Sequence, residues 1–360
     1  MSLFSPADFA YGNTRLRARK GAILVESDYD RLVGKDVEAI LGALDSTPYA
    51  PEVEAALTRH HGVERLHEAI RFHLGRSLEE MRSFYSGPAR ELVDLLLSRL
   101  DIQNIVALLR AQTGHSSQGE HAMLAVVPVG WLGDSLAREI LRQHEPAGAV
   151  ALLVRWTPDS AQARAIGAAF TEYERSDDLA IFERSLMADY TARRATALER
   201  TGPEGETLRR FAHREIDDQN VLVALRLRNA LELGEVTELA LDRELLPGGR
   251  VSADWLETAV RGPAPASDLA ELGGETWRAP LARWATTGDL VVLERALERQ
   301  WVTDALALFA QGDPLSIDIP LAFSVAKQTE ARNLRLLAEG AVRRSDPDQV
   351  RQELLVGART

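Results

Sequence analysis

A short pattern that recurs three times at nearly constant spacing constrains this chain more than any other feature. It reads Asp101-Ile-Gln-Asn104, then Asp217-Asp-Gln-Asn220, then Glu330-Ala-Arg-Asn333, an acid three residues ahead of an asparagine in a Leu/Val/Ala-rich run. The asparagines are 116 and 113 residues apart (220−104 and 333−220). Upstream lies a second pattern, Asp178-Leu-Ala-Ile-Phe182-Glu183-Arg184-Ser-Leu186 and Asp289-Leu-Val-Val-Leu293-Glu294-Arg295-Ala-Leu297, with Gly62-Val-Glu-Arg-Leu66-His-Glu-Ala-Ile70 as a weaker copy. From its first residue to the asparagine the distances are 42, 42 and 44 residues. Two independent motifs holding register three times argue that one helical unit is triplicated, and such a period governs the whole fold.

Helical periodicity fills the units. Val93, Leu96, Leu97, Leu100, Asn104, Ala107 and Leu108 follow i, i+3, i+4 spacing, and Ala212, Ile216, Asn220, Val223 and Leu227 repeat it, so each run forms one apolar stripe. Long alternating strand patterns are absent, and the expected class is all-α. Punctuation falls between units: the prolines of Val127-Pro128-Val-Gly130-Trp-Leu132 and Leu246-Pro247-Gly-Gly249-Arg-Val251 come 24 and 27 residues after their asparagines (128−104 and 247−220). Such turns end one helix and start the next. Ser252 then reads as an N-cap with Asp254 in the first turn, and Val25-Glu-Ser-Asp28-Tyr29 matches Val251-Ser-Ala-Asp254-Trp255. The expected organisation is an N-terminal helix over 1–24, a first unit over 25–128, a second over 129–247, and a third with a C-terminal tail over 248–360. Thr201-Gly-Pro-Glu-Gly205 and Gly262-Pro-Ala-Pro-Ala-Ser267 read as loops within units.

Each asparagine lies on the apolar stripe. A buried amide left unpaired costs roughly 1–3 kcal/mol, so each needs partners. The acid three residues earlier shares the helical face and can bond the amide or a crossing arginine. The simplest reading is that each pair, Asp101 with Asn104, Asp217 with Asn220, Glu330 with Asn333, pins its helix against the next unit. The functional alternative makes them three polar clusters about a pseudo-threefold axis that contact a partner.

Catalytic constellations are not found. His67-Glu68-Ala-Ile-Arg-Phe-His73 resembles a zinc-protease helix, but i+6 rather than i+4 turns the second histidine about 120° off the metal face. With His60 and His61 these read as helix-surface histidines. Asp217-Asp218-Gln-Asn220 begins like an Asp-rich magnesium motif, yet Val221 stands where the fifth-position acid belongs. Gly114-His-Ser-Ser-Gln-Gly119 lacks nucleophile-elbow spacing, and no phosphate-cradling glycine loop carries a lysine. The chain has no cysteine, which excludes disulfides, thiolate metal sites and a cysteine nucleophile. A net charge of −12 disfavours nucleic acid, whose readers need a basic patch to release counterions. Met1-Ser-Leu-Phe-Ser-Pro is not a secretory signal, and Ala122–Leu132, the longest apolar stretch, is too short and too broken to span a bilayer. No cofactor, metal or catalytic residue is expected.

Tyr11-Gly-Asn13-Thr-Arg15-Leu-Arg17-Ala-Arg19-Lys20 resembles the opening helix of the C subunit of the archaeal and bacterial V-type ATPase/synthase, a relative of the d subunit of the eukaryotic V-ATPase. That family begins Tyr-x-Asn-Ala-Arg-x-Arg, and here Thr14 replaces the alanine. Asp28-Tyr29, the Leu-Pro-Gly-Gly turn at 246–249 and Glu330-Ala-Arg-Asn333-Leu-Arg-Leu extend the likeness over most of the chain. The resemblance implies a funnel of three similar helical domains about a pseudo-threefold axis. It also implies a non-catalytic rotor role in ATP-linked proton or sodium transport: a socket between the central-stalk subunits and the proteolipid ring, peripheral at the cytoplasmic face of the membrane. Arg15, Arg17, Arg19 and Lys20 are the candidate partner-facing strip, although 15, 17 and 19 do not share one helical face, so some of them are expected to brace the fold instead. The alternative, an adaptor of solenoid repeats binding protein partners, fits less well, because such repeats run about 20–45 residues and this period is near 115.

Overall fold

The computed structural model describes residues 8–113, 119–234, 244–261 and 274–356. The regular elements among them are α-helices and two 3-10 turns, with no strand. In chain order the helices are α1 (Ala10–Arg19), α2 (Glu26–Leu32), α3 (Val37–Leu44), α4 (Ala50–Ala56), α5 (Gly62–Ser83), α6 (Gly87–Thr113), α7 (Gly119–Ala125), α8 (Asp134–Leu141), α9 (Pro146–Trp156), α10 (Ser160–Ser176), α11 (Leu179–Glu199), α12 (Glu206–Glu232), α13 (Ala253–Arg261), α14 (Gly274–Thr287), α15 (Leu290–Gln311), α16 (Asp318–Arg343) and α17 (Pro347–Glu353). The sequence 114–118, the Gly262–Ser267 loop and the last four residues lie outside the described residues.

The same pair of long helices occurs three times. α5, α11 and α15 have 22, 21 and 22 residues, and the helices that follow, α6, α12 and α16, have 27, 27 and 26. The first helix of each pair opens on the upstream motif. Asp178 and Asp289 are its N-caps, with Asp178 Oδ1 accepting from the Ala180 N–H and Asp289 Oδ1 from the Val291 N–H. Such a cap satisfies a donor that the helix itself cannot pair. In the weaker copy Gly62 stands at that place with φ of +55°, a conformation glycine adopts without a Cβ clash. The second helix of each pair carries the acid and the asparagine.

Contacts divide the chain into two compact units, Met1–Glu183 with Ala305–Thr360, and Arg184–Asp304. In the first unit α16 runs along α5, with α1, α2, α3 and α6 beside it. Every residue from Asp318 to Lys327 is buried, and apart from Asp318, Ser324 and Lys327 the stretch is apolar on all sides rather than on one stripe. Leu66, Ile70, Leu74 and Leu78 give α5 an i, i+4 stripe that is likewise buried. Fully burying such a side chain stabilises a fold by roughly 1.5–3 kcal/mol. In the second unit, Val221 and Leu225 of α12 pack with Leu256 and Val260 of α13, Trp277 and Leu281 of α14, and Leu293 and Leu297 of α15. Ser252 Oγ accepts from the Trp255 N–H at 3.2 Å and caps α13.

Candidate functional site

Each repeated asparagine makes the same two-point clamp. Asn104 Nδ2 donates to Val127 O at 2.8 Å, and the Val127 N–H donates back to Asn104 Oδ1 at 2.9 Å. Asn220 holds Leu246 in the same way at 2.9 and 2.8 Å, and Asn333 holds Leu355 at 2.7 and 3.0 Å. A side-chain amide has one donor face and one acceptor face in a plane, so it pairs with a peptide unit as a neighbouring strand would. Only asparagine and glutamine offer this, and the shorter side chain fits where helix and segment pack closely. The three side chains are 1%, 3% and 0% exposed. Their clamps fasten Val127, Leu246 and Leu355, which lie C-terminal to the long helices, to those helices.

The acid one turn earlier holds the chain a few residues further on. Asp217 Oδ1 accepts the N–H groups of Arg250 and Val251 at 2.8 and 3.0 Å. Glu330 Oε2 accepts the Leu24 N–H at 2.7 Å, and its Oε1 accepts from Tyr49 Oη at 2.7 Å. Asp101 departs from the pair. Its Oδ1 is buried with no hydrogen-bond partner and rests against Gly130, where an added Cβ would lie 2.9 Å from it. The Gly130 N–H instead donates to Glu79 Oε1 at 2.7 Å. Burial pushes the Asp101 carboxyl up to about 7, with the Asp94 and Glu79 charges adding and Arg82 opposing. Asp217 is also raised by burial, but its two backbone donors hold the rise down. Gly249 must be glycine for a similar reason, because a Cβ there would collide with Asp217 Oδ1.

Glu330 anchors a buried polar cluster that sequence reasoning missed. Lys327 forms an ion pair with it and donates from Nζ to His73 Nε2 at 2.9 Å. Lysine is only a donor, so Nε2 accepts, and the proton sits on Nδ1 facing Glu52 Oε2 at 3.2 Å. Tyr49 stacks on the His73 ring with centroids 3.8 Å apart. His73 is thus buried, not a surface histidine as the sequence led us to expect, because α5 is covered on the side that carries it. Burial lowers its pKa, and Lys327 lowers it further against the pull of Glu52 and Glu330. His67 faces Glu339 instead at 3.9 Å. No group of three or more His, Asp or Glu among the described residues has metal-holding geometry. Asp218 accepts from Trp277 Nε1 at 2.6 Å.

The N-terminal strip is divided. Arg15 and Arg19, four residues apart, both lie over the Phe84 ring, at 4.4 and 4.7 Å from its centroid, and Arg19 pairs with Glu80. These two brace α1 against the end of α5. Arg17 is exposed, and Lys20 lies over Phe309 at 5.5 Å. Asn13 is buried, donating to Pro314 O and Ser316 O and accepting from Tyr85 Oη.

The family model for the ATP synthase (C/AC39) subunit matches residues 12–353. The chain belongs to that family. It is 29% identical over 348 residues to the C subunit of the V-type ATP synthase of Thermus thermophilus, covering 97% of this chain and 98% of the relative. It is also similar to the C subunit of the A-type ATP synthase of Haloferax volcanii, 25% identical over 362 residues with 99% and 100% covered. The corresponding Methanocaldococcus jannaschii protein is 21% identical over 360 residues, with 97% and 86% covered. As a member of this ATP synthase (C/AC39) family, the chain is a V/A-type ATPase subunit of the non-catalytic, accessory kind. No helix among its described residues is long and apolar enough to cross a membrane.

Proposed function

We propose that this chain is the rotor socket of a V-type ATPase/synthase, seating the central stalk on the cytoplasmic face of the proteolipid ring during ATP-linked proton or sodium transport. In this reading its repeats, 25–128, 129–247 and 248–360, close into a funnel about a pseudo-threefold axis, and the protein is peripheral to the membrane. One observation carries the closure. Asp217 of the second repeat holds Arg250 and Val251, which open the third. Glu330 of the third holds Leu24, just ahead of the first, at the place that matches Arg250 when Val25 is aligned with Val251. Asp101 of the first packs on Gly130, which opens the second. An open stack leaves its last repeat without a successor, and the bond of Glu330 to Leu24 supports closure instead.

Three similar units cannot match every member of a large ring, so torque passes through a rigid body with several non-equivalent contacts. Charge and shape complementarity serve that better than a single latch. A net charge of −12 suits a basic stalk tip or basic ring loops, and exposed Arg17 with Lys20 is the remaining candidate for acidic groups. The test is affinity for the isolated central-stalk subunits as salt rises from about 50 to 500 mM, since the Debye length shrinks from about 10 Å at 0.1 M. The dissociation constant should weaken steadily across the series. A constant that ignores salt means that the socket grips by apolar burial and removes the electrostatic part of the proposal.

A further inference from the structure

The unit Arg184–Asp304 contains a cleft of about 710 Å³ beside the Asp217 contact with Arg250 and Val251. Its lining includes the aromatic side chains Phe211, Trp255 and Trp277. Trp277 is fixed by its hydrogen bond to Asp218, and Phe211 is held edge-on to Trp301 with centroids 5.8 Å apart. Arg210, Arg214, Arg250 and His213 also line it. Arg214 is held between two acids, pairing with Asp304 through Nη1 and with Asp218 through Nε at 3.6 Å. Arg210 and Arg250 form no ion pair among the described residues; Arg210 sits over Phe211. The two acids in the lining are already engaged, Asp217 by backbone N–H groups and Asp304 by Arg214 and Gln300.

From these groups we infer that the cleft is a binding site for a planar aromatic ring carrying one or two phosphates, the chemistry of a nucleoside mono- or diphosphate. A volume in the range of about 300–1,000 Å³ takes a ligand of that size. Guanidinium forks match phosphate geometry in a way a lone ammonium does not. With Arg214 held by Asp218 and Asp304, Arg210 and Arg250 are the two forks left for an anion, which suits one or two phosphates rather than a longer polyphosphate. Partly exposed Trp255 adds stacking that inorganic phosphate cannot use. This inference stands independently of the rotor proposal.

The test is a titration of the intact chain with AMP, ADP, inorganic phosphate and an oligoglutamate peptide, read by tryptophan fluorescence and calorimetry. AMP and ADP should saturate one site and bind at least about tenfold tighter than inorganic phosphate. Arg250→Gln and Arg210→Gln should each weaken them by about tenfold, the loss of one charge-assisted contact, with thermal unfolding unchanged. Trp255→Phe should keep most of the affinity, and Trp255→Ala should lose it. Equal affinity for ADP and inorganic phosphate, or no saturation by millimolar ADP, overturns the inference. So does tighter binding of the oligoglutamate, which would make the cleft a protein-docking surface.

Discussion

Replacing the clamp asparagines one at a time by leucine gives a graded prediction. Each substitution removes two hydrogen bonds and strands a peptide N–H and C=O on the segment it held. A buried polar group that loses its partner costs roughly 1–3 kcal/mol, and the added apolar surface of leucine returns about 1 kcal/mol. The bonds of Asn104 and Asn333 are buried on both sides, so water cannot replace the lost amide and each variant should lose about 2–4 kcal/mol. Those of Asn220 are part-buried, because Leu246 is partly open to solvent, and the loss there should be nearer about 1–2 kcal/mol. Urea unfolding gives the global loss, and amide exchange at Val127, Leu246 and Leu355 gives the local one, since each N–H is the clamp's own donor. Exchange should accelerate at the clamped residue of the substituted repeat and not at the other two. Full stability in Asn333→Leu, or a larger loss at Asn220 than at Asn104 and Asn333, refutes the clamp reasoning.

Two titrations run in opposite directions, so each is read as a difference between parent and variant. Asp101 is raised from 3.8 to about 7 in the fold, so the folded chain binds the extra proton. Its stability contribution is present below about pH 4 and is lost as pH rises through 7. Asp101→Asn should therefore match the parent in acid and exceed it at pH 8, by at most about 4 kcal/mol for a shift of this size; a variant that loses ground at pH 8 contradicts the orphaned-carboxyl reading. His73 is lowered below 6.5, faced by Lys327, Glu330, Tyr49, Glu52 and Arg76. Here the unfolded chain binds more protons, so stability falls as pH drops below about 6.5, and His73→Gln should remove that slope from thermal melts between pH 8 and 5. An unchanged slope means that another group carries it.

The helices were legible because the motifs carry local signals: an apolar stripe at i, i+3, i+4 spacing and an amide too costly to bury alone. The clamps' partners were only half legible. Val127 and Leu246 each precede a proline and mark visible turns, but Leu355 is followed by Val356, so nothing local singled it out. Asp101 looked equivalent to Asp217 and Glu330, and its isolation arises because Glu79, from another helix, takes the Gly130 N–H. His73 was misplaced for the same kind of reason. Its partner Lys327 lies 254 residues away, and spacing along one helix does not report what packs over it. The alternation of Arg15, Arg17 and Arg19 did indicate a divided role, while the ring that sorts them, Phe84, becomes apparent only in the fold.

The most direct test of the rotor-socket account is to tag the full-length chain, purify it from native membranes, and measure which subunits accompany it and in what number. A socket joining one stalk to one ring predicts a single copy per complex, co-purifying with both central-stalk and proteolipid subunits and cross-linking to each. Recovery with neither, with only one of the two, or at several copies per ring would contradict the account.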